Sequence, residues 1–154
     1  MADLLTPLRD HLVTQGIVRR PREATPVAPP LWLEPRDGVP APGEGQNTVE
    51  KGSDAVLGAF RTTGIAPRRH EGFIRLDAID IWLRTTSPKR AFDIHDQLRL
   101  ALNDKRHWMM STLLIEESLL FRDLQRIAAT RDAFTFTTEF TFERWSAPEG
   151  VPSQ

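Results

Sequence analysis

The stretch AFTFTTEFTFERW, residues 133–145, alternates large apolar residues with threonine and glutamate. One side of the extended chain carries the phenylalanines Phe134, Phe136, Phe140 and Phe142. The other side carries Thr135, Thr137, Glu139, Thr141 and Glu143. Such alternation is typical of an antiparallel strand that packs one face on a core and leaves the other to water or a partner. Since burying one Phe side chain contributes roughly 1.5–3 kcal/mol, we expect helices to cover the phenylalanine side.

Working outward from this strand, the whole block from Phe73 to Trp145 is patterned for a sheet and a helix. It predicts a strand at Phe73–Thr86, a helix at Ser87–Asn103, a connection at Lys105–Ser111, a strand at Leu113–Ile127 and a strand at Ala133–Trp145. Ser87 before Pro88 indicates a helix start, because serine caps amide groups and proline suits the first turn. The apolar phase of the first strand changes near Asp77, which indicates either a β-bulge or burial on both faces.

The N-terminal half of the chain is less regular. Apolar residues at helical spacing predict a helix over Asp3–Val18. Asp3 or Thr6 is placed to cap this helix, and Gly16 to end it. Seven of the twelve prolines lie in residues 21–42, which excludes a helix or a central strand there. The remaining predicted elements are a short edge strand at Leu31–Glu34, a long loop at 36–54, a strand at Asp54–Thr62, a connection at Thr63–Gly72 and a frayed tail at 146–154.

Together these elements predict a single α+β domain over residues 1–154. We expect a mainly antiparallel sheet of about four strands with two helices on one face, a short edge strand and long loops. With 40% hydrophobic residues the chain can bury a core, and its net charge of −1 argues against a dedicated nucleic-acid binder. The absence of cysteine excludes disulfides and thiolate metal sites. With no secretory signal and no membrane-spanning apolar run, we expect a soluble protein made in a cytoplasm.

Residues that could carry chemistry are few and scattered. The four histidines have no paired metal-ligand spacing, and His95 is expected to be a hydrogen-bonded residue on the buried side of its helix. Four carboxylates could converge across strands on a divalent ion or share acid–base work. They are Asp77, Asp80, Glu116 and Glu117. Ion pairs with Arg75 and Arg84 or simple solvation explain them better. With no nucleophile elbow and no phosphate-binding loop, we expect no enzyme, no metal and no cofactor.

Two basic clusters and one tryptophan are candidates for an interaction surface. The clusters, residues 19–22 and 68–70, could contact phosphates or an acidic protein face, but no aromatic stacking pattern accompanies them. A solvated or protein-facing role is therefore favoured. Trp82 falls on the strand face opposite Ile81 and Leu83. It either marks a protein interface or is buried in a strand that is covered on both sides.

The order of elements resembles the tail-terminator and minor capsid proteins of long-tailed phages, the lambda-like tail-terminator fold. The matching features are the helix that begins Leu4-Leu5-Thr6-Pro7-Leu8, a short strand before a variable loop, the strand Ile79-Asp80-Ile81-Trp82-Leu83-Arg84, the Ser-Pro helix Ser87–Asn103 and the final strand Phe134–Phe142. The resemblance covers most of the chain by order of elements. The family has no catalytic signature, and the loop from Arg36 to Asp54 is longer here than is usual in it.

This resemblance implies a structural virion protein at the head–tail junction, assembled in the host cytoplasm. Such proteins form a homohexameric ring that caps the tail tube, stops its polymerisation and meets the head-closure or connector protein. The implied partners are therefore other copies of the chain, the major tail tube protein and the connector. DNA passes through the lumen without sequence-specific binding, and no membrane is involved. The expected interface residues are Trp82, Arg84, Arg68, Arg69, Thr135, Thr137, Glu139 and Glu143.

Other functions stay open at this point. A head–tail connector or tail-completion protein belongs to the same structural class. A small nucleic-acid-binding module that uses the two arginine clusters belongs to a different class. A metal-dependent enzyme built on the four carboxylates is the least favoured.

Overall fold

The computed structural model describes residues 4–20, 28–33, 55–68, 72–129 and 134–146. These ranges hold two helices and six strands. In chain order they are α1 (Leu5–Thr14), β1 (Leu31–Leu33), β2 (Ala55–Arg68), β3 (Gly72–Thr85), α2 (Pro88–Leu102), β4 (Lys105–Met110), β5 (Leu113–Ala129) and β6 (Phe134–Ser146). The α+β class predicted from the sequence is confirmed.

All six strands belong to one sheet, in the order β1-β2-β3-β6-β5-β4. Every pair is antiparallel except β1 with β2, which is parallel. The short strand β1 lies at one edge, as the prolines around it predicted, and Arg19 forms a bridge with Pro30 beside it. The sheet therefore has more strands than the four that were expected, because β1 joins it and because β4 was not predicted.

Two predicted connections are strands in the structure, so these expectations are wrong. Residues 105–110 form β4, whose alternation is hidden by His107, a residue with φ of +48°. Within this strand the Lys105 Nζ lies 4.9 Å from the Trp108 ring centroid, so the two side chains are close together. Strand β2 continues to Arg68 through a glycine and a proline, because β3 pairs with it along that whole length. Pairing with a long neighbour has overridden local propensity in both cases.

The second helix begins and ends where the sequence predicted. The Ser87 Oγ accepts a hydrogen bond from the Arg90 amide at 3.3 Å, and Pro88 occupies the first turn. At the other end Asn103 is the C-cap, and its Oδ1 accepts from the Leu120 amide at 2.8 Å. The helix is thus capped at its start and tied to β5 at its end.

The first helix is shorter than predicted. Its N-cap is Leu4, which has no side-chain capping bond, so Thr6 is not the cap. Asp3, the other predicted cap, lies outside the described residues. Gly16 follows the helix with φ of +76°, a conformation that glycine adopts without strain, and this confirms its predicted role as the stop.

The phenylalanine side of β6 faces α2 and forms the centre of the core. Phe140 and Phe142 are fully buried, and the Phe92 and Phe136 rings lie 5.9 Å apart between the helix and the strand. The first helix packs on the same apolar cluster. We call this side of the sheet the α2 face. The expectation that both helices cover the phenylalanine side is confirmed.

Of the two causes expected for the change of phase in β3, burial on both faces is confirmed and a bulge in β3 is not, because Asp77 and Ile79 are buried on the α2 face while Ala78 and Asp80 are buried on the other side. The register of β3 with β6 is continuous, and the irregularity in its pairing with β2 lies on β2, between Phe60 and Thr62. Asp77 stays on the α2 face opposite Phe142, where it is fully buried as an ion-pair partner. Leu76 lies on the other side and is 47% exposed. The pattern changes because a charged group is buried there, and β3 itself has no bulge.

Two predicted segments, the long loop and most of the C-terminal tail, lie outside the described residues. The predicted loop at 36–54 and residues 147–154 of the predicted tail lie outside the described residues, while Ser146 is the last residue of β6. Within the described ranges, neither helix has the length and apolar character needed to cross a bilayer.

Candidate interaction surface

The side of the sheet opposite the α2 face, called here the outer face, carries most of the predicted interface residues. Strand register places its residues in cross-strand rows. One row runs Arg106, Glu117, Glu143, Leu76 across β4, β5, β6 and β3. Later rows contain Leu119, Thr141 and Ala78, then Arg122, Glu139 and Asp80, then Gln125, Thr137 and Trp82. Period-two alternation along β3 and β6 puts their residues on one face, and the register shifts of β5 bring Arg122 and Gln125 to the same face.

The centre of the outer face is buried, contrary to the sequence-based expectation. Thr135 is 7% exposed and Glu139 is 3% exposed, so neither belongs to an accessible polar surface. Asp80 and Arg122 flank Glu139 on the neighbouring strands, with the Arg122 Nε 3.8 Å from the Glu139 Oε1. Alternation identified the face correctly. It does not reveal how far the long side chains of neighbouring strands cover a residue.

The other two predicted β6 residues are half-buried. Thr137 lies between Thr135 and Glu139 on β6, and Glu143 lies beyond Glu139 in the row that contains Leu76 and Arg106. Their role in an interface stays a prediction. Of this predicted set, Glu143 lies closest to exposed apolar side chains.

Trp82 is half-buried on the outer face. It packs with Trp32 against Ala55 in a small cluster separate from the main core. This arrangement combines the two interpretations left open by the sequence, because the indole has an intramolecular partner and still keeps accessible surface. Arg84, the next outer-face residue of β3, is also half-buried.

The basic clusters are only partly described. Arg68 ends β2, and Arg69 lies outside the described residues. In the other cluster the Arg19 Nε donates to the Ala28 carbonyl at 3.1 Å, and Arg20 forms a 2.9 Å ion pair with Asp10. Both guanidinium groups therefore contact their own chain.

The four candidate carboxylates do not converge. Asp77 lies on the α2 face and Asp80 on the outer face, whereas Glu116 and Glu117 form ion pairs of 2.9 Å with His107 and Arg106. Among the described residues, no group of three potential metal ligands comes together. The competing expectation, that Asp77 pairs with Arg75, is confirmed.

Asp77 belongs to a buried ion cluster. Its Oδ1 lies 3.2 Å from the Arg75 Nε, and its Oδ2 lies 3.2 Å from a terminal nitrogen of Arg144. The Asp77 side chain is fully buried, and those of Arg75 and Arg144 are 12% and 7% exposed. Because register sets Asp77 opposite Phe142, this cluster extends the α2 face with charge instead of apolar packing.

His95 is the hydrogen-bonded helix histidine that was expected. It is 4% exposed, and its Nε2 lies 3.2 Å from the Thr138 Oγ1. The Thr138 hydroxyl donates its only proton to the Arg122 carbonyl at 2.7 Å, so it accepts from His95. The bonds therefore select the imidazole tautomer that carries a proton on Nε2. They join α2 to β6 and to β5 where the register of β5 shifts.

The contacts that His95 makes with Thr138 and Asp123 connect the helix to the sheet and do not have the order of a nucleophile relay. The Asp123 carboxylate lies 3.8 Å from the same Nε2 that contacts Thr138, whereas a nucleophile relay needs the acid on the opposite ring nitrogen. Thr138 itself is 1% exposed. Burial lowers the pKa of His95; the Asp123 carboxylate opposes that shift and Arg99 adds to it. A neutral His95 is thus the form that the folded chain favours.

The structure also exposes apolar residues that sequence reasoning missed. Leu76 on the outer face is 47% exposed, and Met109 and Leu114, which are partners on β4 and β5, are 55% and 51% exposed. Further along β5, Phe121 is 61% exposed and Ile127 is 51% exposed. A sequence signal existed, because β5 contains the run 119–121 of three apolar residues, more than one face of a strand can bury.

A scan of the chain against protein-family models finds no match, and a search of curated proteins finds none either. The functional argument therefore rests on the geometry of the chain and on the order of its elements.

Proposed function

We propose that this chain is a structural virion protein that acts as a tail terminator. It assembles into a homohexameric ring, caps the tail tube, stops tube polymerisation and joins the tube to the head connector. Its partners are other copies of itself, the major tail tube protein and the connector, and DNA passes through the lumen without sequence-specific contacts.

The observation that supports this proposal best is the set of exposed apolar side chains on the strands. Leu76, Met109, Leu114, Phe121 and Ile127 are each about half exposed or more. Met109 and Leu114 are cross-strand partners, and neighbouring exposed apolar residues of this kind are typical of sites that bind other proteins. The order of elements resembles the tail-terminator fold, and this resemblance is the reason for proposing a ring at the end of the tail tube.

The nucleic-acid module is the weaker candidate. Arg19 and Arg20, which it would use, already bond to Ala28 and Asp10 of the same chain. The balance of 20 basic and 21 acidic residues also gives the chain no general attraction to phosphate.

The direct test adds the purified chain to polymerising tail tube protein from the same virus and measures tube lengths by negative-stain electron microscopy. A terminator shortens the tubes in proportion to its concentration and leaves a ring at one end. Tube lengths that do not depend on the chain at any ratio contradict the proposal.

Two further results distinguish a tail terminator from a connector and from a nucleic-acid-binding module. A connector or tail-completion protein binds finished tubes or heads without changing the length of growing tubes. A nucleic-acid module binds duplex DNA in a gel-shift assay, and this binding weakens steeply between low and moderate salt.

A further inference from the structure

A cavity of about 350 Å³ lies between the end of α1 and one side of α2. One wall is formed by residues 16–19, which follow α1, and by residues 28–29 beside them. The other wall is the side of α2 that carries Arg90, Ile94 and Gln97. Sites for small molecules typically have volumes of ~300–1,000 Å³, so the cavity is large enough for a small ligand.

Backbone hydrogen bonds hold the wall that follows α1. Gly16 reverses the chain with φ of +76°, and the Ile17 amide donates to the Leu12 carbonyl at 3.0 Å. The Arg19 amide then donates to the Pro29 carbonyl at 2.9 Å. Because these bonds connect the wall to the helix and to the segment that leads into β1, the cavity is formed by the folded chain itself.

The interior of the cavity is mainly apolar. Ile17, Val18 and Ile94 are buried members of the main core. Val13, on the last turn of α1, is half-buried and packs against the same core. Since these side chains are branched and aliphatic, the cavity favours an aliphatic group that leaves water on binding.

The polar side chains of the cavity are two arginines and one glutamine. Arg19 and Arg90 are half-buried, and Gln97 is exposed. The Arg19 Nε donates to the Ala28 carbonyl at 3.1 Å, which holds this guanidinium against the wall. Arg90 lies one turn before Ile94 on α2, so both residues are on the same side of the helix. Among the described residues that line the cavity none is acidic, so its side chains contribute only positive charge.

We infer that this cavity binds a small apolar carboxylic acid in its ionised form. The aliphatic chain lies between Ile17 and Ile94, and the carboxylate lies at Arg19 and Arg90. The planar guanidinium group matches a carboxylate in shape and in charge. A hydrated anion without an apolar part, such as phosphate, gains nothing from the aliphatic walls. This site goes beyond the proposed terminator function and does not depend on self-assembly.

Titration of the full-length chain with isocaproate, isocaproamide and inorganic phosphate tests the inference. The acid and the amide share one branched chain, and only the acid is charged at neutral pH. Methyl NMR spectra of the isoleucine-labelled chain locate the binding, because Ile17 and Ile94 line the cavity and the exposed Ile127 on β5 does not.

We expect saturable shifts of the Ile17 and Ile94 methyl signals with isocaproate and no shift of the Ile127 signal. The amide should bind about tenfold more weakly, because it makes no charge-assisted hydrogen bond to the arginines. Phosphate should leave all three signals in place.

Two variants and a matched control assign the recognition to this cavity. Arg90→Gln should weaken isocaproate binding about tenfold and leave amide binding unchanged. Arg99→Gln, which removes a half-exposed guanidinium of the same helix outside the cavity, should change neither. Gln97→Trp places an indole at the exposed rim and should block both ligands. Unchanged thermal unfolding shows that the variants fold.

Three results overturn the inference. Equal affinity for acid and amide shows that the arginines do not recognise a carboxylate. Equal losses in Arg90→Gln and Arg99→Gln show a general attraction to the positive helix surface. The absence of saturable shifts at Ile17 and Ile94 shows that the cavity does not bind the acid. Tube lengths test the terminator proposal separately, so the two failures are distinguishable.

Discussion

The α2 face and the outer face are built from the same strands, yet near Asp77 they place charged and apolar residues in opposite ways. On the α2 face, Asp77 and Arg144 are 0% and 6% exposed. On the outer face, Leu76 is 47% exposed. Asp77 is buried where it pairs with Arg75 and Arg144, whereas the neighbouring Leu76 stays exposed in the part of the chain that the structure describes. The difference separates residues that stabilise the subunit from residues available to a partner.

Replacing the central phenylalanine should have the largest effect on folding. Phe140→Ala removes a fully buried ring between β6 and α2 and should lower the free energy of unfolding by about 4 kcal/mol. Chemical denaturation measures this loss. Phe121→Ala, at a 61% exposed position, is the matched control and should change stability by less than about 1 kcal/mol. Equal losses in both variants would break the distinction between the two surfaces.

The buried ion cluster should come next. Asp77→Ala leaves Arg75 and Arg144 without the carboxylate between them and should cost about 3 kcal/mol, because an uncompensated charge remains buried. Asp93→Ala removes an exposed pair with Lys89 and should cost less than about 0.5 kcal/mol. Similar urea midpoints for the two variants would show that the Asp77 cluster does not stabilise the fold.

The exposed residue Leu114 on β5 should matter for association and not for folding. Leu114→Glu places a charge on an accessible position, so the unfolding free energy should stay within about 0.5 kcal/mol of the original. Its self-association by sedimentation should be lost, because a carboxylate replaces an exposed apolar side chain that the proposed assembly would bury. A large loss of stability with association intact would reverse the roles assigned to the two faces.

The smallest effect concerns pH. Because burial lowers the pKa of His95, protons bind more readily to the unfolded chain, and stability should fall as pH decreases below about 6.5. His95→Gln should remove part of this dependence while keeping a donor for Thr138. Burial also lowers the pKa of His11, so some dependence should remain. Unfolding curves between pH 7.5 and pH 5 test this, and identical slopes for both proteins would exclude a contribution from His95.

The sequence predicted those features that depend on local chemistry. Ser87 and Pro88 located the start of α2, Gly16 located the end of α1, and the Phe134–Phe142 alternation identified the face that the helices cover. Each signal lies within a few residues of the structure that it determines. Local pattern was therefore sufficient for both limits of α2, for the end of α1 and for the direction of a strand face, but not for the start of α1.

Features that depend on distant partners were not predictable in this way. Strand β4 was missed because the positive φ of His107 breaks its alternation, and its pairing with β5 decides its structure. Glu139 was expected to be accessible, but its burial depends on its cross-strand neighbours Asp80 and Arg122. The exposure of Leu114 and Met109 likewise depends on the pairing of β4 with β5, which their local sequence does not specify.

Native mass spectrometry of the purified chain tests the central claim, assembly into a closed ring, most directly. The account predicts one dominant species of six 17.5 kDa subunits, which Leu114→Glu converts to monomers and the control Leu100→Glu retains. A chain that stays monomeric at every concentration, or an open series of multiples without a preferred number, would contradict it.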